Sequence, residues 1–412
     1  MTSEVMIMNR QAVVLAADSA VTYGGGPEPV VTLEAEKILE LGENIALMVY
    51  SRGDVLGRSW SHIAHAFSRE NGSVEFETVD DAAAAFFKFL DQNRQLFPEH
   101  EEREEFEGLM RAAFLTVLNH AKSMRGYPGG GYESDEAAFM AALDIYLGHL
   151  TVDEHGAERQ RLAIFESLSA ENFYERYGAM LDALIADSLG DFGMAESTRA
   201  KLFQFAYLIA TQPAFLEPYA GLVFAGFGAA DVFPVYSHYY ASILVDGVLK
   251  RAHDEATAVG VDDGPNAFLR TFAQAEMTHA FLRGVHPYMF DVAVSLNLIS
   301  NEAAAEAALK EAGLDEAASD AVLARMRESA LPRLAGEFAH TVQSVSQEEF
   351  INPFIKVVAA SGKRQLAETS KALVELNILK GDLHMSQTGV GGDVDVAMVS
   401  RTTGFEWYAK KS

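Results

Sequence analysis

The sequence predicts a layered α+β fold, and three observations predict it. Short apolar strands fill the first 50 residues; further strands fall at 219–227, 232–246 and the C-terminal end; and the stretch from 54 to 215 reads as largely helical. Strand-rich ends with helices between them suit sheets covered by helix layers. The 412 residues allow a large core, and length alone suggests two or three domains. A hydrophobic content of 49% marks a globular chain rather than a disordered one.

In chain order, Val5-Met6-Ile7-Met8 and Gln11-Ala12-Val13-Val14-Leu15 are apolar runs separated by Asn9-Arg10. That pattern reads as a hairpin with a two-residue loop. The second strand runs into Asp18, a charge at the end of a buried run, which must find a cation or hydrogen-bond donors. Tyr23-Gly24-Gly25-Gly26-Pro27 is rich in turn residues, and a third extended stretch leads to Lys37, the first basic residue after Arg10.

Helix is expected over 54–69, with Asp54 near its start, then over 78–97 and 99–125. Tyr127-Pro128-Gly129-Gly130-Gly131-Tyr132 breaks that run, and helix resumes at 170–190 and 196–212. Residues 267–283 and 285–298 read as helix broken near Pro287, and 300–330 is Ala/Glu-rich and helix-forming. Leu366, Leu373, Val374 and Leu376 mark one more amphipathic helix before the C-terminal strands. No internal repeat or low-complexity linker interrupts the chain.

The net charge is −27, from 59 acidic and 32 basic residues. It disfavours nucleic acid and anionic membranes as partners. Without cysteine, disulfides and thiolate metal sites are excluded. No targeting signal and no apolar run of membrane-spanning length is visible, so a cytoplasmic protein is expected.

The chemistry concentrates near the N-terminus. Thr2 follows Met1, and a small second residue normally lets the methionine be removed. A threonine exposed that way carries a hydroxyl nucleophile and a free α-amine together, an accepted activation scheme. An α-amine has an ordinary pKa of about 7.7–8.0, which suits a base near neutrality. An Asp18–Lys37 pair beside it would hold an ammonium near the hydroxyl and favour the alkoxide.

Thr2, the run Val13-Val14-Leu15-Ala16-Ala17-Asp18-Ser19 and Lys37-Ile38 resemble the start of proteasome β subunits and the related bacterial HslV-type peptidase. Asp18 lies 16 positions after Thr2, as in that family, and Lys37 comes three positions late, a difference the Gly-Gly-Gly-Pro turn absorbs. Val390-Gly391-Gly392-Asp393-Val394-Asp395-Val396 through Ser400, with Gly404-Phe405-Glu406-Trp407, looks like the family's closing hairpin. Gly221-Leu222-Val223-Phe224-Ala225-Gly226-Phe227-Gly228 with Phe233-Pro234-Val235-Tyr236 looks like its mid-chain strand pair. The three blocks cover about half the chain, and the N-terminal one is the most specific.

The resemblance implies an N-terminal-nucleophile (Ntn) hydrolase: a four-layer αββα sandwich enlarged by helical insertions. It implies a single domain over 1–412, with sheet-forming parts about 1–50, 217–247 and 388–409 and helical insertions about 78–215 and 250–345. Catalysis would fall to Thr2, Asp18 and Lys37, with an oxyanion hole from backbone N–H groups at Ser51 and Arg52. The family's oxyanion glycine has its counterpart in Gly53, a residue or two late. The family's supporting Ser and Asp residues have no identified counterparts.

The implied substrate is a peptide or unfolded protein, with no cofactor and no metal. A homo-oligomer is expected, because surplus amphipathic helix must be buried within the subunit or against a partner. Whether an ATPase partner takes part is undetermined. Two other readings stand beside this one: a catalytically silent scaffold subunit, and an Ntn amidase acting on a small molecule.

Other signals read more plainly as structure. Gly226-Phe227-Gly228 is followed by a strand rather than a helix, so it is a sheet connection and not a dinucleotide loop. His62 and His65 share a helix face, and His100 stands among glutamates; neither group has a third ligand at metal-site spacing. The triple glycines at 24–26 and 129–131 read as turns.

Overall fold

The computed structural model describes residues 2–23, 30–32, 35–126, 132–153, 155–189, 195–254, 259–261, 266–383 and 390–411. Met1, the glycines at 24–26 and the Pro/Gly break at 127–131 lie outside the described residues.

The chain opens with strands β1 (Ser3–Asn9), β2 (Ala12–Asp18), β3 (Val21–Tyr23), β4 (Val30–Thr32), β5 (Ile38–Gly42), β6 (Ile45–Ser51), β7 (Asp54–Val55) and β8 (Arg58–Ser59). Helices α1 (Trp60–Asn71), α2 (Val79–Gln92), α3 (Glu99–Gly126), α4 (Asp135–Thr151), α5 (Ala170–Leu189) and α6 (Glu196–Thr211) follow. Strands β9 (Ala220–Gly226), β10 (Val235–Val245), β11 (Val248–His253), β12 (Val259–Gly260) and β13 (Ala267–Ala273) come next. The chain finishes with α7 (Glu276–Arg283), α8 (Pro287–Glu311), α9 (Glu316–Glu328), α10 (Ala330–Ser346), α11 (Asn352–Ala360), α12 (Lys363–Leu383), β14 (Val394–Ser400) and β15 (Gly404–Ala409). The protein is therefore mixed α+β with antiparallel sheets. No helix among the described residues is long and apolar enough to cross a membrane.

Two compact units divide the chain: residues 1–38, 231–235 and 260–412 form the first, and 39–230 with 236–259 form the second. The first unit holds a five-stranded sheet in the order β13-β1-β2-β14-β15, every pair antiparallel. Both β1 and β2 are buried at every position, as central strands should be. Val5, Ile7, Val14 and Ala16 share one face and pack against Leu366, Leu373 and Val374 of α12. Glu4, Met6 and Met8 therefore point to the opposite face, because side chains alternate along a strand. The Asn9 side chain donates to the carbonyls of Val358 (3.0 Å) and Ser361 (2.9 Å), tying the hairpin end to the end of α11.

The second unit holds the sheet β11-β10-β9-β6-β5, with β12 also paired to β10. Phe86 and Phe87 of α2 meet Phe224 of β9 edge-on, with ring centroids 5.6 and 5.8 Å apart. Helices α3 to α6 bury their apolar faces largely among themselves, around Phe106, Phe114, Phe139, Phe173, Leu181 and Phe205. These faces of the expected 78–215 insertion thus make a core of their own, which reaches Ile243 and Val245 of β10.

Two local expectations are corrected. Helix α1 starts at Trp60 rather than Asp54, because Leu56 (φ 48°) and Gly57 (φ 70°) turn β7 back into β8; Ser59 is the N-cap, accepting from the His62 N–H. Residues 267–273 form the outer strand β13 and not a helix, since the open edge of β1 takes them as its partner over seven residue pairs. The break expected near Pro287 is present: Gly284 in the left-handed region (φ 68°) ends α7, and Pro287 starts α8. His62 and His65 are exposed on α1, in keeping with a solvated reading.

Candidate active site

The N-terminal end of β1 lies between two hydrogen-bonded neighbours. On one side the register sets Ser3 opposite Ala273 of β13, and the Thr2 carbonyl accepts from the Gln274 N–H at 2.8 Å. On the other side Glu4 stands opposite Ala17 of β2, so Asp18 falls beside the start of the chain. The hairpin itself therefore brings Asp18 to Thr2: sixteen residues apart in sequence, they are joined by a 2.9 Å hydrogen bond from the Thr2 hydroxyl to Asp18 Oδ1.

Asp18 is almost completely buried and accepts from four groups. Oδ1 takes the Thr2 hydroxyl (2.9 Å), the Ser3 N–H (3.0 Å) and Lys37 Nζ (2.6 Å), while Oδ2 takes the Gly391 N–H (2.9 Å). Lys37 directly precedes β5 and is buried; Nζ also donates to Thr2 Oγ1 and lies 3.7 Å from Glu4 Oε1. An ammonium on the hydroxyl oxygen stabilises negative charge developing there, and a carboxylate holding that ammonium fixes its direction. The structure thus brings Thr2, Asp18 and Lys37 into one hydrogen-bonded cluster inside the first unit.

Glu4 joins them. Its Oε1 is a second acceptor within reach of the single Thr2 hydroxyl hydrogen, which it shares with Asp18 Oδ1, whereas Oε2 is buried without a partner among the described residues. Burial pushes the Glu4 carboxyl up to about 8; Lys37 and the Thr2 hydrogen bond oppose that rise, and the like charge of Asp18 adds to it. Glu4 was not singled out from the sequence. The signal was present as a charge one residue ahead of the apolar run Val5-Met6-Ile7-Met8. Only the packing reveals that Glu4 is fully enclosed.

A supporting layer holds the strand end. Asn377 of α12 donates to Ser3 Oγ (3.0 Å) and Thr278 Oγ1 (2.9 Å) and accepts from the Met277 N–H (3.1 Å). Thr278 in turn donates to the Leu373 carbonyl at 3.0 Å. Nothing in the local sequence around Asn377 marks this role, because its partner Ser3 is 374 residues away.

Ser51 and Arg52, expected as backbone oxyanion donors, belong to the second unit at the end of β6. Ser51 sits in the left-handed region (φ 65°), which non-glycine residues rarely occupy. The Arg52 N–H donates to the Tyr219 carbonyl at 3.1 Å, so that donor is already committed to the pairing of β6 with β9. The Arg52 guanidinium is held by Asp54 at 2.8 Å and by Glu105.

Among the described residues, no group of three or more His, Asp or Glu side chains is arranged to hold a metal ion. Compared with known proteins, the chain matches no family model and no curated sequence.

Proposed function

We propose that the chain is an N-terminal threonine hydrolase of the Ntn type that cleaves amide bonds, with peptides as the substrate class. The observation that carries this reading is the Lys37 ammonium on the Thr2 hydroxyl oxygen, with Asp18 behind it. Thr2 Oγ1 attacks the carbonyl carbon, Lys37 stabilises the alkoxide that develops, and Asp18 orients Lys37. A base must take the hydroxyl proton, and loss of Met1 would offer the Thr2 α-amine for that task. The reading carries with it the αββα sandwich, a cytoplasmic location, and no cofactor.

Self-association belongs to the same reading. Helix α8 buries none of its side chains and leaves Tyr288, Met289, Leu296 and Ile299 more than half exposed. An apolar face of that extent supports contact with a second copy. Light scattering coupled to size exclusion tests it: a single 44.9 kDa species at every concentration would refute the oligomer.

The test of catalysis is turnover of fluorogenic peptides together with intact mass after treatment with a hydroxyl-acylating peptide lactone. Wild type is expected to turn over and carry one acyl group on Thr2, Thr2→Ser to keep partial activity, and Thr2→Ala to lose both signals. Equal turnover by Thr2→Ala and wild type would end the catalytic assignment. Turnover confined to small amides would move the substrate class to the small-molecule amidase.

A further inference from the structure

We propose that Glu4 is a catalytic residue, the general base that takes the proton of the Thr2 hydroxyl and returns it to the leaving amine. The inference rests on Thr2 being the nucleophile and adds a group that the Thr–Asp–Lys scheme does not contain.

Two carboxylates reach the same hydroxyl, and their surroundings differ. Both Asp18 oxygens are occupied, two of the four donors being the backbone N–H groups of Ser3 and Gly391. A proton arriving on Asp18 would displace donors that hold the strand end. Glu4 reaches the hydroxyl through Oε1, and among the described residues its carboxylate accepts from no backbone N–H, so it can gain a proton without losing a backbone partner. The charged groups facing Glu4 are Lys37 and Asp18, and loss of Met1 adds the Thr2 α-amine two residues away; its cross-strand neighbours Ala17 on β2 and Phe272 on β13 carry no charge. Complete burial favours the neutral acid, and the carboxyl is pushed up to about 8, near the range where a base works best at neutral pH.

The steps balance. As the bond from Thr2 Oγ1 to the substrate carbonyl carbon forms, the hydroxyl hydrogen moves to Glu4 and the carbonyl oxygen gains the negative charge. When the tetrahedral species collapses, the C–N bond breaks and the Glu4 proton leaves with the amine. Water then gives a proton to Glu4 as it attacks the acyl ester. The acid is released, and the proton returns to Thr2 Oγ1.

The experiment is the rate of Thr2 acylation by the peptide lactone, read by intact mass from about pH 5.5 to about 9.5 for wild type, Glu4→Gln and Glu4→Asp. For wild type the rate is expected to rise with pH through about 8 as Glu4 ionises. Glu4→Gln, which keeps the shape but cannot take a proton, is expected to lose the rise and at least ~100-fold in rate. Glu4→Asp is expected to keep a rise at reduced rate, which a purely structural role would not restore. A Glu4→Gln enzyme with the wild-type pH profile and a rate within about threefold would overturn the proposal and leave the α-amine as the base. Thr2 left unlabelled in all three proteins at every pH would overturn the nucleophile, and Glu4's role with it.

Discussion

Glu4 in the first unit and Lys250 in the second are both fully enclosed charged side chains in strands, yet they have been given opposite surroundings. Lys250 on β11 donates to two carbonyls, Ile209 and Ala214, each at 2.6 Å, and its ammonium lies 4.8 Å from the Phe215 ring centre. Burial alone pulls it down to about 7. Its partners are a helix end and the loop beyond it, so it fastens α6 to the sheet. Glu4 instead faces two other ionisable groups and a hydroxyl, and one of its oxygens has no partner among the described residues. Burial of a charge is common to both; coupling to neighbouring titratable groups around a nucleophile is what distinguishes a reactive arrangement from a fastening.

The largest effect should come from breaking the cluster at its cation. Lys37→Ala leaves the buried Asp18 carboxylate without its cation. Peptide turnover should fall by roughly 100-fold or more, and thermal melting should show a loss of about 3–5 kcal/mol. Wild-type turnover by Lys37→Ala would remove the ammonium from the mechanism. Asp18→Asn should act in the same direction but less strongly, since Lys37 keeps its bond to Thr2 while losing the carboxylate that aims it. A turnover loss of about 10- to 100-fold is expected, and a larger loss than that of Lys37→Ala would mean Asp18 does more than orient.

The pH dependence of stability sharpens the contrast. Between about 4.5 and about 8 the folded chain holds a proton on Glu4 that the unfolded chain releases, so Glu4 lowers stability as pH rises through that window. Between about 7 and about 10.5 the unfolded chain holds a proton on Lys250 that the folded chain gives up, so Lys250 raises stability with pH there. Denaturant melts across pH should show the first slope vanish in Glu4→Gln and the second in Lys250→Met. Unchanged slopes in both variants would mean that neither group is held as its burial implies.

The smallest effect on chemistry belongs to Lys250→Met. Near pH ~9 it should cost about 1–3 kcal/mol, because two buried carbonyls lose their donor. The rate of Thr2 acylation should stay at the wild-type value. A variant that folds normally but acylates slowly would tie the second unit's fastening to the site and erase the distinction.

The pairing of Thr2 with Asp18 was legible in the sequence because both lie on one hairpin. Two apolar runs and a two-residue turn fix their register, and register fixes which residues meet. The amphipathic helices α2, α3, α5, α6 and α12 were legible for the same local reason, a repeating apolar face. Helix α4, with hardly any amphipathic contrast, was not singled out within its largely helical stretch.

What only the tertiary structure decided involves residues far apart in the chain. The strand β13 was read as helix, since the edge it fills belongs to β1, more than 250 residues earlier. The Gly391 N–H on Asp18 and the Asn377 side chain on Ser3 come from 373 and 374 residues away. The Arg52 N–H was expected to face an oxyanion, and the Tyr219 carbonyl takes it instead. Glu4 is the clearest case: its residue type and strand position were plain in the sequence. Its loss of water and its approach to Lys37 exist only once the strands and loops close around it, because desolvation is a property of everything packed against a group.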